Sequence, residues 1–215
     1  MKVKIKPGWD EKVAEVIRTR FPDLPFQLDA NSAYTLSDVP LFKRLDAFKC
    51  LLVEQPLAED DIIDHATLQK QIATPVCLDE SIHSAEDARK AIEIGATRVI
   101  NIKAGRVGGL LESKKIHDVC AAHDIPVWCG GMLEMGIGRA ANVHLASLPN
   151  FRLPGDVSAS ARYFDTEIIG EPFTVNSDGT MDVPVGPGIG VTVLEEEIRK
   201  LALETRELRA TGINR

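Results

Sequence analysis

The hydrophobic positions of the chain follow two alternating patterns. Short apolar runs rich in β-branched residues recur about every 25 residues and predict buried strands at Val3–Ile5, Phe26–Leu28, Cys50–Val53, Val76–Leu78, Val99–Ile102 and Val127–Cys129. Between these runs the apolar residues are spaced as on one face of a helix, as at Val13, Val16 and Ile17. Strands alternating with helices, and apolar almost without interruption, predict a parallel sheet that is covered on both faces.

Ionisable residues at the strand ends distinguish between two kinds of parallel sheet. Lys4, Asp29, Glu54, Asp79 and Lys103 stand at the C-terminal ends of successive predicted strands, at steps of 25, 25, 25 and 24 residues. In an open doubly wound sheet these ends would be spread along one edge. In a closed (βα) barrel they meet at one mouth, where the active sites of such barrels form. The spacing therefore predicts an α/β fold of the TIM-barrel type.

The strand count falls short of a complete barrel. After Cys129 only Phe151–Leu153 predicts a further inner strand, which gives seven strands where a closed barrel of this type has eight. We expect residues 1–160 to form a partial barrel domain that carries the catalytic site.

Residues 161–215 are predicted to form a C-terminal extension. Glu171–Pro184 has the pattern of two short antiparallel strands around Asn176–Gly179, which indicates a β-hairpin. Val193–Leu208 is a charged amphipathic segment and predicts a helix.

Composition and charge narrow the range of partners and cellular locations that we expect. The chain is 44% hydrophobic, 27% charged and carries a formal net charge of -7 without a run of like charges, which argues against nucleic acid and anionic membranes as partners. No apolar run approaches the roughly 20 residues that span a bilayer. The four cysteines form no Cys-x-x-Cys pair, so we expect reduced thiols in the core and a cytoplasmic protein.

Three of the strand-end residues are carboxylates on consecutive strands. Asp29, Glu54 and Asp79 offer oxygen ligands from rigid positions, which suits a hard divalent cation such as Mg²⁺ or Mn²⁺. Buried together without a cation, they would repel one another. Any one of them alone is equally well explained as a helix cap, but three in register predict a metal site.

Lysines flank these carboxylates in the sequence. Lys2 and Lys4 lie on the same side of their strand because side chains alternate, and Lys103 lies across the barrel mouth from Lys4 in the strand order. A lysine beside a divalent cation has a lowered pKa and acts as a base near neutral pH. Lys4 and Lys103 on opposite faces of a bound carboxylate substrate could take a proton on one side and return it on the other. Lys2 is interpreted as a neighbouring charge.

The motifs together resemble a known family. The segments KVKIKPGWD, LDAN, VEQPL, LDES, NIKAGRVGG, WCGGMLEMGIGRAAN and LPGDVSAS resemble the enolase superfamily, its muconate-lactonizing subgroup, and within it the o-succinylbenzoate synthase/N-acylamino acid racemase family. The resemblance extends from Lys2 to about Gly190. It implies that Asp29, Glu54 and Asp79 bind Mg²⁺ and that Lys4 and Lys103 are the acid–base pair.

The resemblance also implies an activity. Enzymes of this type remove the proton next to a substrate carboxylate and form an enediolate, here as an N-succinylamino acid racemase, an o-succinylbenzoate synthase of menaquinone biosynthesis, or both. A dipeptide epimerase or cycloisomerase would share every catalytic residue. A barrel fragment without a working site is the alternative from another class.

Further residues are predicted to touch the substrate or to support the residues that do: Lys2, Asn31, Glu80, Arg106, Gly131, Met132 and Glu134. An arginine at the position of Arg106 is associated with N-acylamino acid activity in related racemases, and the alternative is a solvated loop charge. Met135 stands where the family usually has Ser or Thr.

The resemblance implies two segments before the Lys-x-Lys strand, and this sequence shows neither of them before Lys2. Family members carry an N-terminal capping domain and a first strand and helix before that strand, whereas Met1 directly precedes Lys2 in this sequence. We therefore expect open sheet edges, association with a second copy or with a complementing N-terminal segment, and little activity from the isolated chain.

Overall fold

The computed structural model describes residues 1–206, and its framework is one parallel sheet. The six strands are β1 (Lys2–Lys4), β2 (Gln27–Asp29), β3 (Val53–Glu54), β4 (Val76–Leu78), β5 (Val99–Ile102) and β6 (Val127–Cys129). They pair in sequence order, each parallel to the next. A doubly wound sheet changes direction along its strand order, whereas a barrel does not. The prediction of a TIM-barrel type of fold is confirmed in the form of a six-stranded parallel half-barrel.

Five α-helices connect the strands, and two more follow the last strand within the part of the chain that the structure describes. The connecting helices are α1 (Glu11–Arg20), α2 (Val39–Leu45), α3 (Ile62–Gln69), α4 (Ala85–Glu93) and α5 (Leu110–Ala122), and β6 is followed by α6 (Gly136–Ala146) and α7 (Glu195–Leu201). Local capping explains where two of them begin. The side chain of Asp61 accepts from the backbone N–H of Asp64 at α3, and Ser84 accepts from Asp87 at α4.

The strands are buried on both faces. Every residue of β4, β5 and β6 is buried, and Leu78, Ile100 and Ile102 have no exposed surface. Their side chains belong to the main core, while Trp128 packs with Leu52, Cys77 and Val99 in a smaller cluster. Charged side chains are costly to bury among these apolar residues, and they therefore lie at the strand ends.

The register of the sheet sets the first ionisable residues side by side. Lys4 is the partner of Asp29 on β2, and Asp29 is in turn the partner of Glu54 on β3. Paired residues of neighbouring strands present their side chains on the same face. The three side chains therefore project in the same direction.

The predicted seventh strand is wrong as a strand. Phe151 makes one isolated parallel bridge to Val127 on β6, supported by the bond from Arg152 N–H to the Val127 carbonyl. Pro154 lacks an N–H and ends this pairing after a single residue.

The described chain divides into two compact units. The first comprises residues 1–132 and 141–157, and the second comprises residues 133–140 and 158 onward. In the second unit an isolated antiparallel bridge joins Ile169 to Val193, and the side chain of Glu167 accepts from the N–H of Gly136.

The predicted hairpin over Glu171–Pro184 is not confirmed. The chain turns tightly at 176–180, where Asn176 N–H donates to the Thr180 carbonyl, but no paired strands flank the turn. Pro172 and Pro184 remove backbone donors at both ends of the segment.

The tail helix is shorter than predicted. It spans Glu195–Leu201, and the end of the predicted range Val193–Leu208 lies outside the described residues. Within residues 1–206 no helix has both the length and the apolar character needed to cross a membrane. All four cysteines are buried and form no disulfide.

One histidine is part of the buried framework of the first unit. His65 on α3 is fully buried; its Nε2 accepts from the N–H of Leu57, which leaves Nδ1 to donate to the carbonyl of Asp61. The contact at Nε2 requires the neutral ring, because both nitrogens of a protonated imidazole are donors. Burial lowers the pKa of His65 from its ordinary value, because the charged imidazolium loses its hydration.

We predict that His65 couples folding to pH. A lowered folded-state pKa contributes stability above about pH 6.5, and this contribution declines as the pH falls below that value. The unfolding free energy of the wild type should therefore fall relative to that of His65→Gln on acidification, with a slope limited to about 1.4 kcal/mol per pH unit.

Urea denaturation between about pH 5 and pH 7.5 measures this difference. His123→Gln, at an exposed histidine, is the control for loss of an imidazole at the surface. A wild-type minus His65→Gln difference that does not change with pH would contradict the prediction.

Candidate active site

Three buried carboxylates lie at neighbouring strand ends. Asp29 ends β2, Glu54 ends β3, and Asp79 directly follows β4. Their exposed fractions are 1%, 0% and 1%. Because ionised carboxylates are costly to bury without partners, the groups around them define the chemistry of the site.

Asp29 is paired with both lysines of β1. Its Oδ2 atom lies 2.8 Å from Lys2 Nζ and 2.6 Å from Lys4 Nζ. Both lysines reach it because residues two apart on a strand share a face. Burial by itself would raise the pKa of Asp29, but the hydrogen bonds and charges of Lys2 and Lys4 outweigh burial and lower it.

Glu54 is less well compensated. Its Oε1 atom accepts a 2.8 Å hydrogen bond from Asn101 Nδ2, and its Oε2 atom lies 3.0 Å from Lys2 Nζ. Besides this ion pair with Lys2, that Oε2 atom has no hydrogen-bond donor among the described residues. Burial, and next the negative charge of Asp29, raise the pKa of Glu54 to about 8. Glu54, which contacts one lysine, therefore has less compensating positive charge than Asp29, which contacts two.

Lys2 is held between these two carboxylates. Burial opposes its charge, but the ion pairs with Glu54 and Asp29 outweigh burial and raise the pKa of Lys2 above its ordinary value. Its Nζ atom also lies 5.1 Å from the centroid of the Trp128 ring. Lys2 is thus a fixed cation of the site.

Asp79 is paired with residues of β5 and the loop that follows. Lys103 Nζ lies 2.5 Å from its Oδ2 atom, and Arg106 Nη1 contacts its Oδ1 atom. Arg106 also donates to the carbonyls of Ile82 and Asn101, at 2.8 and 2.6 Å. Burial lowers the pKa of Arg106. Arg106 is therefore a buried anchor at the site and not a solvated loop charge.

Lys4 and Lys103 stand on opposite sides of the carboxylates. Lys4 contacts Asp29 at one side and Lys103 contacts Asp79 at the other, with Glu54 between them in the strand order. The Lys4 side chain is 63% exposed and that of Lys103 is 16% exposed, so a molecule at the mouth is accessible to both.

Asn31 and Glu80 extend the site beside Lys4. Lys4 Nζ donates to Asn31 Oδ1 at 2.5 Å, and Asn31 Nδ2 donates to Glu80 Oε1 at 2.9 Å. The structure brings these two predicted residues together, on the exposed side of Asp29.

The predicted substrate-side residues after β6 differ from one another in packing and exposure. A side chain at Gly131 would collide with the carbonyl of Asp156, so the backbone there is closely packed. Met132 is 47% exposed. Glu134 belongs to the second unit, where its carbonyl accepts from Arg139. Contact between these residues and a substrate stays a prediction.

Two polar residues of the site were not predicted from the sequence. Asn101 bonds to Glu54, and the Gln55 side chain accepts from the N–H groups of Asp79 and Ser81. Asn101 lies two residues before Lys103, and that spacing on a strand is a signal that could have identified it. Gln55 offers no such signal.

The predicted metal ligands do not surround a common point in this arrangement. Among residues 1–206 no three Asp, Glu, His or Cys side chains are placed to share an ion, and each carboxylate instead contacts an amino or guanidinium group. The donor set nevertheless fits Mg²⁺, because buried carboxylate oxygens are its preferred protein ligands. Glu54 contacts a single lysine, so its carboxylate is the member of this set at which a cation finds the least competing positive charge.

Curated relatives share most of this sequence. The chain is 58% identical over 197 residues to an N-succinylamino acid racemase from an Amycolatopsis species, covering 91% of this chain and 53% of the relative. It is 54% identical over 200 residues to an o-succinylbenzoate synthase from Geobacillus kaustophilus, covering 93% and 53%. The chain thus spans about half the length of these relatives.

A solved structure and a family model agree with these relatives. The crystal structure of an enolase-superfamily member of unknown function from Enterococcus faecalis V583 superposes with a TM-score of 0.88 at 50% identity, covering 93% of this chain and 54% of that one. Residues 1–197 match the family model described as enolase C-terminal domain-like. The chain therefore belongs to the enolase C-terminal domain-like family of the enolase superfamily.

Proposed function

We propose that the chain carries the catalytic half of an enzyme that removes the proton next to a substrate carboxylate, as an N-succinylamino acid racemase, an o-succinylbenzoate synthase, or both. The observation that carries this proposal is the pair of lysines on opposite sides of three buried carboxylates. The similarity to curated racemases and synthases supports the substrate class, a small N-acylamino acid or synthase precursor.

Asp29, Glu54 and Asp79 are the residues that would hold Mg²⁺. When bound, the ion supplies positive charge that stabilises the negative charge developing on the substrate carboxylate. The same three residues position the substrate relative to both lysines, since rigid strand ends carry all of them.

Lys4 and Lys103 move the proton. In racemisation, the neutral Nζ atom of one lysine takes the proton from the α-carbon, and the ammonium group of the other returns a proton to the opposite face. The two lysines exchange roles with the enantiomer bound. In the synthase reaction, Lys4 takes the proton syn to the departing hydroxyl group and returns it to that group, which leaves as water. Lys103 stays charged and faces the intermediate.

The surrounding residues hold this machinery in place. Arg106 fixes Asp79 beside Lys103, and Lys2 fixes Asp29 beside Glu54. The pair Asn31 and Glu80 orients Lys4. Gly131 and Met132 are proposed to line the side on which the acyl group binds.

A dipeptide epimerase remains the second candidate, because it would use the same residues. Turnover of N-succinylamino acids, dipeptides and muconate, followed by loss of the α-proton signal in D₂O, separates the candidates. Exchange of N-succinylamino acids alone supports the proposed substrate class, and exchange of dipeptides alone overturns it.

We propose further that another polypeptide covers one side of the first unit. β1 is an edge strand, and Trp9 and Val16 on the adjoining segment are 59% and 55% exposed around a groove of about 240 Å³. Open edges and exposed apolar surface favour association. The occupant is a second copy of this chain or a segment that complements it.

We predict that Asp79→Asn weakens Mg²⁺ binding by more than about 100-fold, since losing a ligand exceeds the roughly 10–100-fold cost of losing a partner of a ligand. Titration calorimetry measures the affinity. Asp118→Asn is the matched control, because Asp118 also pairs with a lysine but is exposed on α5. Equal affinity of Asp79→Asn and wild type would contradict the ligand assignment.

We predict different outcomes for the two lysines. Lys4→Ala should lose racemase and synthase turnover and Lys103→Ala should lose racemisation, each by at least about 100-fold. In each variant α-proton exchange should persist only for the enantiomer that the remaining lysine faces. Exchange in D₂O is followed by NMR for each enantiomer. Lys43→Ala, at an exposed lysine on α2, is the control. Equal exchange of both enantiomers by Lys103→Ala would overturn the two-base scheme.

We predict that Val16→Lys reduces self-association of the chain, because a charge in the apolar groove must be desolvated on contact. Sedimentation velocity across a concentration series measures the effect. Thr19→Lys adds the same charge to an exposed polar position of α1. Equal association of all three proteins would exclude this groove as the contact between copies.

A further inference from the structure

Asn101 is a fully buried amide at the centre of the strand ends. Its Nδ2 atom donates to Glu54 Oε1 at 2.8 Å, and its Oδ1 atom accepts from the N–H of Gly130 at 2.8 Å. The backbone N–H of Gly130 only donates, so it requires the amide oxygen on its side and leaves the Nδ2 group for Glu54. The Gly130 N–H therefore fixes which way the amide points.

The absence of a side chain at Gly130 leaves space for this amide. A Cβ atom at position 130 would lie 2.5 Å from Asn101 Oδ1 and 2.7 Å from Lys103 Cε. Separations this short require a group to move. The absence of a side chain at Gly130 thus places both the Asn101 amide and the stem of Lys103.

The amide determines which oxygen of Glu54 faces the cations. Because Oε1 is bonded to Asn101, Oε2 is the atom that meets Lys2 Nζ, which also contacts Asp29. The backbone of Asn101 is held in turn, since its carbonyl accepts from Arg106 Nη2. One side chain on β5 therefore aligns a carboxylate on β3.

We propose that Asn101 is a positioning residue that aligns the Glu54 carboxylate for a divalent cation shared with Asp29, and that Gly130 makes this position sterically accessible. The proposal rests on the metal site of the proposed function and adds to it. Partners of metal-bound carboxylates commonly change metal affinity by roughly 10–100-fold when they are removed.

A merely structural role for Asn101 leads to a different expectation. The loss of a buried amide would then lower stability and leave the metal affinity of the folded protein unchanged. Asn150 provides the comparison, because it is also buried in the first unit and its Nδ2 atom donates to the carbonyl of Ile125, away from the carboxylates.

The experiment titrates Mg²⁺ into the full chain and its variants by calorimetry, with folding checked by circular dichroism and urea denaturation. Asn101→Ala should weaken Mg²⁺ binding by roughly 10–100-fold. Gly130→Ala, which keeps both Asn101 and Glu54, should act in the same direction. The matched controls Asn150→Ala and Gly105→Ala should bind within about twofold of wild type, since a Cβ at Gly105 meets no atom within 4 Å.

The outcomes separate the two claims. If wild type binds Mg²⁺ and the folded Asn101→Ala and Gly130→Ala variants bind it equally well, the positioning role is overturned and the metal site stands. If wild type itself binds no Mg²⁺, the proposed function fails and this inference fails with it. If Asn101→Ala does not fold, Gly130→Ala decides alone. The electron paramagnetic resonance spectrum of bound Mn²⁺ should change in these two variants and not in the controls.

Discussion

The balance of charge around three buried carboxylates constrains the rest of the first unit. Asp29, Glu54 and Asp79 have almost no exposed surface, and burying an ionised carboxylate without partners costs several kcal/mol or more. Cations on the neighbouring strands pair with two of them: Lys2 on β1 contacts Asp29, and Lys103 after β5 contacts Asp79. Glu54, in the middle, contacts one cation, Lys2, and a neutral amide among residues 1–206. The metal proposal follows from this smaller positive charge at Glu54, between two neighbours that each contact two cations.

The regular geometry of the parallel sheet produces that arrangement. Parallel strands in register repeat the same geometry with each βα unit, so one ionisable residue per strand end is sufficient to build the group. The buried interiors of β4 and β5 carry no charged side chain, since a charge there would lose its hydration, and the charged residues lie at the strand ends. The position of the site and the packing of the core thus have the same origin.

The sequence pattern predicted the central parallel strands well. Val76–Leu78, Val99–Ile102 and Val127–Cys129 were predicted with the observed bounds, because near-continuous apolar runs have few alternatives. The seventh strand is not confirmed because Pro154 lacks the N–H that would continue the pairing with β6, and the hairpin is not confirmed because no paired strands flank its turn.

Asn101 was missed for a different reason. A single asparagine within an apolar strand changes the hydropathy pattern little, and its importance depends on a carboxylate 47 residues away in the sequence. Pairing over such a distance becomes visible only when the strands are assembled. The strand-end carboxylates were found because each has a counterpart at the same repeat.

The ring of cations also has a consequence beyond the site itself. Lys2, Lys4, Lys103 and Arg106 surround the three carboxylates, whereas the chain as a whole carries a formal charge of -7. The excess negative charge must therefore lie on the remaining surface. An anionic molecule diffusing toward the protein is repelled by most of that surface and least of all at the mouth. Such a charge distribution directs the approach of carboxylate ligands, and dissolved salt weakens it within a Debye length of about 10 Å at 0.1 M ionic strength.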